Sequence, residues 1–263
     1  MPKAIMSTLG YIIVFTLLGS VVSLIGGVIL LSKEKLARKI SHFLSSFAAG
    51  VLLATAFVDL LPEALEHAEE LGTEVNIFIW VLLGILAFFL LERFIHWFHH
   101  HHDHKEVPNE EKKAVIPLIV LGDTVHNFID GVVIAATFMV DIKLGMLTTF
   151  AVAAHEIPQE IGDFGIMIHR GMKKLSILLV NIVSALGALT GAVLTYLVGG
   201  GLDNILPIFL SIAAGFFIYI ALSDLIPEIH GEDRRDVAFW ETVLLILGVV
   251  VIWLAVTYLE QLI

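Results

Sequence analysis

The 263-residue sequence contains no cysteine, and this absence removes several kinds of chemistry at once. Without a thiol the chain forms no disulfide, offers no thiolate to a metal ion and carries no redox motif. Basic residues are scarce as well, since 15 lysines and arginines stand against 26 aspartates and glutamates, for a formal charge of −11. This acidic balance gives no reason to expect a nucleic acid as a partner.

Apolar residues, in contrast, are abundant. They make up 58% of the chain, and the mean hydropathy of +0.93 is far above that of a soluble globular domain. Apolar runs of about 20 residues, the length needed to cross a bilayer, recur along the whole sequence. We therefore predict an all-α membrane protein with eight transmembrane helices in one domain, residues 1–263, embedded in a lipid bilayer. The eight predicted spans are 8–31, 42–66, 75–97, 114–139, 145–169, 174–199, 204–228 and 237–261.

The distribution of basic residues predicts the orientation of the chain. Thirteen of the 15 lysines and arginines lie around the ends of spans one, three, five and seven, and only Lys3 and Lys143 lie on the opposite side. By the positive-inside rule, both termini are outside the cytoplasm. The first span is followed by Lys33 and Lys35 without a small-residue cleavage site, so we expect a retained helix and not a signal peptide. With no targeting segment, we expect a multi-pass protein of a prokaryotic plasma membrane.

Two consecutive spans carry nearly all the buried polar chemistry. Span four contains GDTVHNFIDG and span five contains AAHEIPQEIGD. Because a helix turns by about 100° per residue, most of these polar side chains share one face of each helix. A single buried Asp or His is commonly a paired structural group, but nine ionisable or amide groups in two adjacent spans require a cation or a wet cavity. The nine are Asp123, His126, Asn127, Asp130, His155, Glu156, Gln159, Glu160 and Asp163.

The spacing of these residues predicts a two-metal arrangement. His126 with Asp130, and His155 with Gln159, are i,i+4 pairs that each place two ligands on one helix face. Asp130 can bridge, because its second oxygen is free for another ion. The ligands predicted for that second ion are Asn127, Asp130 and Glu156. Imidazole and carboxylate without sulfur favour Zn²⁺, Fe²⁺, Mn²⁺, Co²⁺ or Cd²⁺ over Cu⁺. In span six, Asn181 either hydrogen-bonds a neighbouring helix or lends a carbonyl oxygen to the site.

Two similar short segments predict an internal repeat. Span two ends with DLLPEAL and span seven with DLIPEIH, and the two copies lie on opposite membrane faces. An inverted repeat of helices 1–3 and 6–8, with helices 4 and 5 at its axis, would produce this pattern. It would put Asp59 and Glu63 at the outer entrance and Asp224, Glu228 and His230 at the inner exit. The acids of span two are read either as an ordinary solvated helix end or as an acidic mouth that attracts cations.

A histidine-rich tract follows span three, within residues 99–113. A tract of this composition binds divalent metal ions through neutral imidazoles, so we expect metal binding in a cytoplasmic loop. The alternative is a polar linker or a purification tag, although this tract is internal and interrupted by Asp103. The histidines expected to bind metal are His99, His100, His101, His102 and His104.

GDTVHNFIDG and HEIPQEIGDF resemble the fourth- and fifth-helix signatures of the ZIP (Zrt/Irt-like) divalent metal transporters, closest to the subfamily whose fifth helix reads H-E-x-P-H-E-x-G-D. The resemblance covers the whole chain. It implies a homodimeric, non-enzymatic transporter that moves zinc, or other divalent metals, into the cytoplasm by an elevator-like motion. The resemblance implies that one ion is held by His126, Asp130, His155 and Gln159. It implies that the second is held by Asn127, Asp130, Glu156 and Gln159, with Asn181.

This chain departs from that subfamily at Gln159, where the motif has histidine and other members have glutamate. Asp123, Glu160 and Asp163 are expected to surround the ions or line their pathway. Two other functions remain to be weighed. An intramembrane metal-dependent hydrolase would use HEIPQE as H-E-x-x-H, but Gln159 stands in place of the second histidine. A metal sensor would explain the histidine tract but not acidic residues at both ends of a route.

Overall fold

The protein is described by a computed structural model over residues 6–72, 75–99, 116–169, 171–199, 205–230 and 234–260. Throughout these ranges the regular secondary structure is helical, and no strand occurs in them. The all-α prediction is therefore confirmed. The helices are α1 (Thr8–Ala54), α2 (Leu61–Glu70), α3 (Ile77–His99), α4 (Ile116–Val140), α5 (Ile142–His169), α6 (Lys174–Val198), α7 (Leu206–Ile220), α8 (Ile226–His230) and α9 (Arg235–Glu260).

Five segments in the described ranges are long and apolar enough to cross a membrane by length and composition. They correspond to predicted spans one, two, six, seven and eight. Spans three, four and five appear as α3, α4 and α5, helices of 23, 25 and 28 residues. The count of eight transmembrane helices stays a prediction. The five segments are Thr8–Lys33, His42–Glu70, Lys174–Val198, Leu206–Leu225 and Arg235–Tyr258.

Residues 32–39, which lie between predicted spans one and two, are helical in the structure. Helix α1 runs through them with one break at Lys33, whose φ of −142° and ψ of 65° are not helical. The physical reason is composition, because SKEKLARK contains good helix formers and neither glycine nor proline. The Lys174 ammonium at the start of α6 donates to the Leu31 carbonyl at 2.6 Å, which satisfies an acceptor next to the break.

Two short π-helical turns interrupt the bundle at matching places. Thr55–Leu60 joins α1 to α2, and Ala221–Leu225 joins α7 to α8. Each ends in a backbone bond across five residues, from Leu61 to Ala56 and from Ile226 to Ala221. A proline, Pro62 or Pro227, lies two residues after the end of each turn. It has no N–H for the regular helical bond, which favours the wider turn.

Small residues allow the helices to pack closely. Helix α1 packs on α5 and α9, α3 packs on α7, and α4 packs on α6. A Cβ atom added to Gly131 would lie 1.8 Å from the Ala188 carbonyl oxygen, and one added to Gly50 would lie 2.0 Å from that of Leu245. These helices therefore touch backbone to backbone, which fixes how α4 and its ligand-bearing face are oriented.

Candidate metal centre

The candidate centre is built on α4 and α5, which are separated only by Asp141. The Asp141 carboxylate accepts from the backbone N–H of Lys143 at 2.6 Å and of Leu144 at 3.3 Å, and so caps α5. Helices joined by so short a connection run antiparallel side by side. The polar faces of α4 and α5 are therefore brought against each other.

Four side chains from the two helices converge on one point. The Nε2 atoms of His126 and His155 are 3.2 Å apart. Asp130 Oδ2 lies 3.6 Å from the first of these nitrogens and 3.5 Å from the second. Glu156 Oε1 lies 3.4 Å and 3.9 Å from the same two atoms. One ligand atom of each residue therefore lies within 4.8 Å of the others, as a shared metal ion requires.

A hydrogen bond orients His155 for this role. Its Nδ1 atom lies 3.2 Å from the Ala151 carbonyl oxygen. Because a carbonyl oxygen only accepts, Nδ1 carries the ring proton and Nε2 presents its lone pair to the cluster. A partner of this kind fixes both the tautomer and the ring orientation of a metal-binding histidine.

A second group of carboxylates adjoins the first. Asp123, Glu156 and Glu160 each place an oxygen within 4.8 Å of the other two. The amide of Asn127 donates to Asp123 Oδ1 at 3.0 Å and to the Asp123 carbonyl at 3.1 Å. Glu156 thus belongs to both groups, whereas the sequence analysis gives the bridging position to Asp130. Asp123 and Glu160, which were expected around the ions or on their pathway, belong to the second group.

These carboxylates are buried without compensation from hydrogen bonds. Asp130, Glu156 and Glu160 are 3%, 3% and 2% exposed. Among the described residues, no donor hydrogen-bonds Asp130 Oδ2, either carboxylate oxygen of Glu156, or Glu160 Oε2. Buried anionic oxygens are costly unless a cation or a proton neutralises them. A divalent ion would satisfy several of these oxygens at once.

Other predicted ligands lie at the margin of the two groups. Gln159 and Asp163 are half-buried. Among the described histidines and acids, Asp163 is not a member of either group of converging ligands. Asn181 on α6 is buried, and its amide donates to the Ile177 carbonyl of its own helix at 2.8 Å.

The predicted outer entrance lies beside a cavity of about 270 Å³. His67 is placed between two carboxylates there, with Nε2 3.3 Å from Glu63 and Nδ1 3.4 Å from Glu70. Asp59 lines the same cavity. All of these acids come from the same end of the α1–α2 segment.

The predicted inner exit and the histidine tract are described only in part. Asp224 is exposed in the second π-helical turn. Glu228 and His230 belong to α8, and His99 ends α3, but their side chains lie outside the described residues. His100, His101, His102 and His104 lie outside the described residues altogether.

Sequence reasoning missed a row of hydroxyls on α1. Thr16, Ser20 and Ser23 line a small cavity that is also bounded by Asp130 and Glu156. Their i, i+4, i+7 spacing within an apolar span is the signal that could have revealed them.

Sequence reasoning also missed two aromatic residues, Phe88 and Tyr219, that pack beside the centre. Phe88 lies edge-on to His126 with ring centroids 5.5 Å apart, and Tyr219 packs on Phe88 at 5.5 Å. The Tyr219 hydroxyl donates to Glu92, which joins α7 to α3. Glu92 is the one acid of predicted span three, residues 75–97, and is the sequence signal for this contact.

Comparison with known proteins identifies the family of the chain. A family model described as "ZIP Zinc transporter" matches residues 7–116 and 102–255. The chain belongs to the ZIP family. It is therefore a multi-pass membrane protein, and the family resemblance seen in spans four and five is confirmed over nearly the whole length.

Individual relatives agree with this assignment. The chain is 33% identical over 219 residues to a protein named Zinc transporter ZIP13 from Pongo abelii, an alignment that covers 79% of this chain and 64% of the relative. It is 31% identical over 308 residues to Zinc transporter SLC39A7 from Mus musculus, covering 85% of this chain and 64% of the relative. With mouse Zinc transporter ZIP4 it shares 42% identity over 119 residues, 45% of this chain and 18% of the relative. The chain thus spans less than two thirds of each of these relatives.

Proposed function

We propose that this chain is a zinc transporter that carries the ion through the membrane into the cytoplasm by way of the α4–α5 centre. The observation that carries the proposal is the convergence of two imidazoles and two carboxylates, His126, Asp130, His155 and Glu156, in a buried position. The names of the relatives support zinc as the substrate. Fe²⁺, Mn²⁺, Co²⁺ and Cd²⁺ accept the same donors and are further candidate substrates.

The centre is proposed to hold two ions that share Glu156. The first ion has the two histidines, Asp130 and Glu156 as ligands. The second has Asp123, Glu156 and Glu160. This assignment replaces the family-implied Gln159 by Glu156 at the first ion, because a carboxylate at contact distance is a stronger ligand than a half-buried carboxamide. Asn127 orients Asp123 through its two hydrogen bonds.

An eight-span inverted repeat is supported by matched positions in the two halves of the chain. Ser46, Gly50, Asp59 and Pro62 each have an identical residue 165 positions later, at Ser211, Gly215, Asp224 and Pro227. Both copies of the aspartate lie in a π-helical turn.

The contacts between helices also match between the two halves of the chain. Gly50 of α1 contacts α9 near Gly248, and Gly215 of α7 contacts α3 near Gly84. The two central helices, α4 and α5, match as well. Gly26 of α1 lies against the Ile157 carbonyl of α5, and Gly191 of α6 lies in the same way against the Phe128 carbonyl of α4. Each of these carbonyls lies two residues after a histidine of the centre. These matches support an axis of the proposed repeat that passes through the centre.

The remaining features of the proposal rest on the sequence and the family. We propose that both termini are outside the cytoplasm and that the protein lies in the plasma membrane. We also propose that it is a homodimer and that it transports by an elevator-like motion. A metal-dependent hydrolase and a metal sensor are less favoured, because the relatives are named transporters.

Uptake of radioactive Zn²⁺ into proteoliposomes tests the proposal. We expect His126→Ala and Asp130→Ala to abolish uptake, because each removes a ligand that no neighbour replaces. Asp236→Asn, which changes an exposed acid on α9, serves as the control and should transport normally. Wild-type uptake by a correctly inserted His126→Ala, Asp130→Ala double variant would contradict the assignment of the centre.

A further inference from the structure

Each histidine of the metal centre lies against one phenylalanine from helix α3 or α7. The rings of His126 and Phe88 are nearly perpendicular, with centroids 5.5 Å apart and planes at 88°. The rings of His155 and Phe217 meet at 62°, with centroids 6.2 Å apart. Both phenylalanines are buried, at 5% and 1% exposed. Edge-to-face contacts over such distances are favourable for aromatic rings. The two histidines therefore have similar aromatic neighbours.

The two histidines differ in their hydrogen bonds. His155 Nδ1 contacts the Ala151 carbonyl of its own helix at 3.2 Å, and this bond can persist when an ion binds at Nε2. Within the described part of the chain, the polar contacts of His126 are made by Nε2 and go to other proposed ligands of the first ion. An ion that enters the centre takes the place of those contacts. The contact of His126 with Phe88, in contrast, persists with or without an ion.

Phe88 is itself held in place by helix α7. The ring of Tyr219 packs on it with centroids 5.5 Å apart, and the ring of Phe216 does so at 5.3 Å. The Tyr219 hydroxyl also donates to Glu92, which lies one turn after Phe88 on α3. The Phe88 ring is therefore packed between α3 and α7, as a residue must be if it is to restrain the His126 side chain.

We propose that Phe88 is a positioning residue for zinc transport, whose ring keeps the His126 imidazole in the orientation that binds the ion. It takes the place of the hydrogen bond that orients His155. The inference rests on the proposed function, because it presupposes an ion in the α4–α5 centre. Phe88 belongs to α3, which packs on α7, whereas His126 belongs to α4. A movement of α4 past α3 would separate the two rings and leave the imidazole free to turn, so it would also loosen the ion.

Zn²⁺ uptake by the full-length protein in proteoliposomes tests this role. Phe88→Leu keeps the position apolar and adds no ligand atom, but it removes the ring. The His126 side chain must then be ordered when the ion binds, which should raise the zinc concentration for half-maximal uptake about fivefold. The maximal rate should stay at the wild-type level, because the ligands themselves are unchanged. A residue that only stabilises the fold would instead lower the maximal rate and leave half-saturation unchanged.

Phe217→Leu is the matched control. It makes the same change beside His155, whose hydrogen bond to Ala151 remains, so its half-saturation should equal that of the wild type. Equal shifts in the two variants, or no shift in Phe88→Leu, would overturn the proposal. If Phe88→Leu does not insert into the membrane, Tyr219→Leu removes the ring behind Phe88 and should raise half-saturation in the same direction. An unchanged value in that variant would also overturn the proposal.

A parallel Zn²⁺ titration of His126→Ala separates this inference from the proposed function. If His126→Ala loses Zn²⁺ binding while Phe88→Leu and Phe217→Leu bind alike, only the positioning role is wrong. If His126→Ala binds Zn²⁺ like the wild type, the metal centre itself is wrong.

Discussion

The candidate metal centre and the cavity at the predicted outer entrance, here called the outer cavity, contain the same donors in different surroundings. At the outer cavity, His67 lies between Glu63 and Glu70 on one short helix, and all three side chains are at least partly open to solvent. In the centre, His126 and His155 come from two helices and meet two carboxylates that are almost completely buried. Solvent screens the first set of charges, whereas burial leaves the carboxylates of the second set much less screened.

This difference assigns different tasks to the two regions. A half-exposed cluster on one helix can attract cations and release them easily, because its side chains are separately solvated. A buried cluster from two packed helices holds its geometry and selects an ion by the ligands it offers. Under the proposed function, similar residue types therefore serve capture at the surface and coordination inside. The following predictions test that division.

Among the changes that compare the two regions, Glu156→Gln is expected to have the largest effect. The change keeps the size of the side chain but removes the charge of the ligand that both ions share. We expect Zn²⁺ uptake to fall by about 100-fold, the upper end of what loss of a supporting group costs, because a direct ligand is lost. Proteoliposome uptake measures it, and a loss smaller than threefold would show that Glu156 is not a shared ligand.

Glu63→Gln makes the same chemical change at the outer cavity, so its effect can be compared with that of Glu156→Gln. It should raise the zinc concentration for half-maximal uptake by a few fold and leave the maximal rate unchanged, because steering acts before binding. The rise should vanish in high salt, where the screening length falls from about 30 Å at 0.01 M to about 8 Å at 0.15 M. An effect that is independent of salt would mean that Glu63 holds the ion directly.

Acid should reduce transport through the centre. Histidine and carboxylate ligands must be free of protons to bind Zn²⁺, so protons compete with the metal ion and uptake should rise between pH 5.5 and pH 8. Glu63→Gln should keep this profile, because the competition takes place at the buried ligands. We would abandon competition at the centre if wild-type uptake did not change with pH.

A smaller effect is expected from Gln159→Glu. The variant adds a carboxylate near the first ion, so it should saturate at lower zinc concentration and release the ion more slowly. Equilibrium titration with Zn²⁺ measures the affinity. An unchanged affinity would show that this half-buried side chain does not reach the ions.

The composition of the centre is predictable from sequence because helix geometry converts spacing into position. His126 and Asp130 share a helix face at any helix orientation, since four residues make about one turn. The all-α class follows equally directly from the apolar runs. The helical character of residues 32–39 is also implied by their composition.

The sharing of Glu156 between two ligand groups is not predictable in this way. It depends on how far α4 and α5 are rotated against each other. That rotation is set by close backbone contacts with other helices, of Gly131 with Ala188 and of Ile157 with Gly26. Thr16 enters the site for the same reason, because Gly26 and Gly19 let α1 approach α5. Such contacts join residues that are distant in sequence.

The most direct test of the central claim is the structure of the zinc-loaded protein with zinc located by anomalous scattering. The account predicts two ions between α4 and α5, both bound by Glu156, with the Nε2 atoms of His126 and His155 at about 2.0–2.1 Å from the first ion. Zinc bound at His67 and Glu63, with neither His126 nor His155 as a ligand, would contradict it.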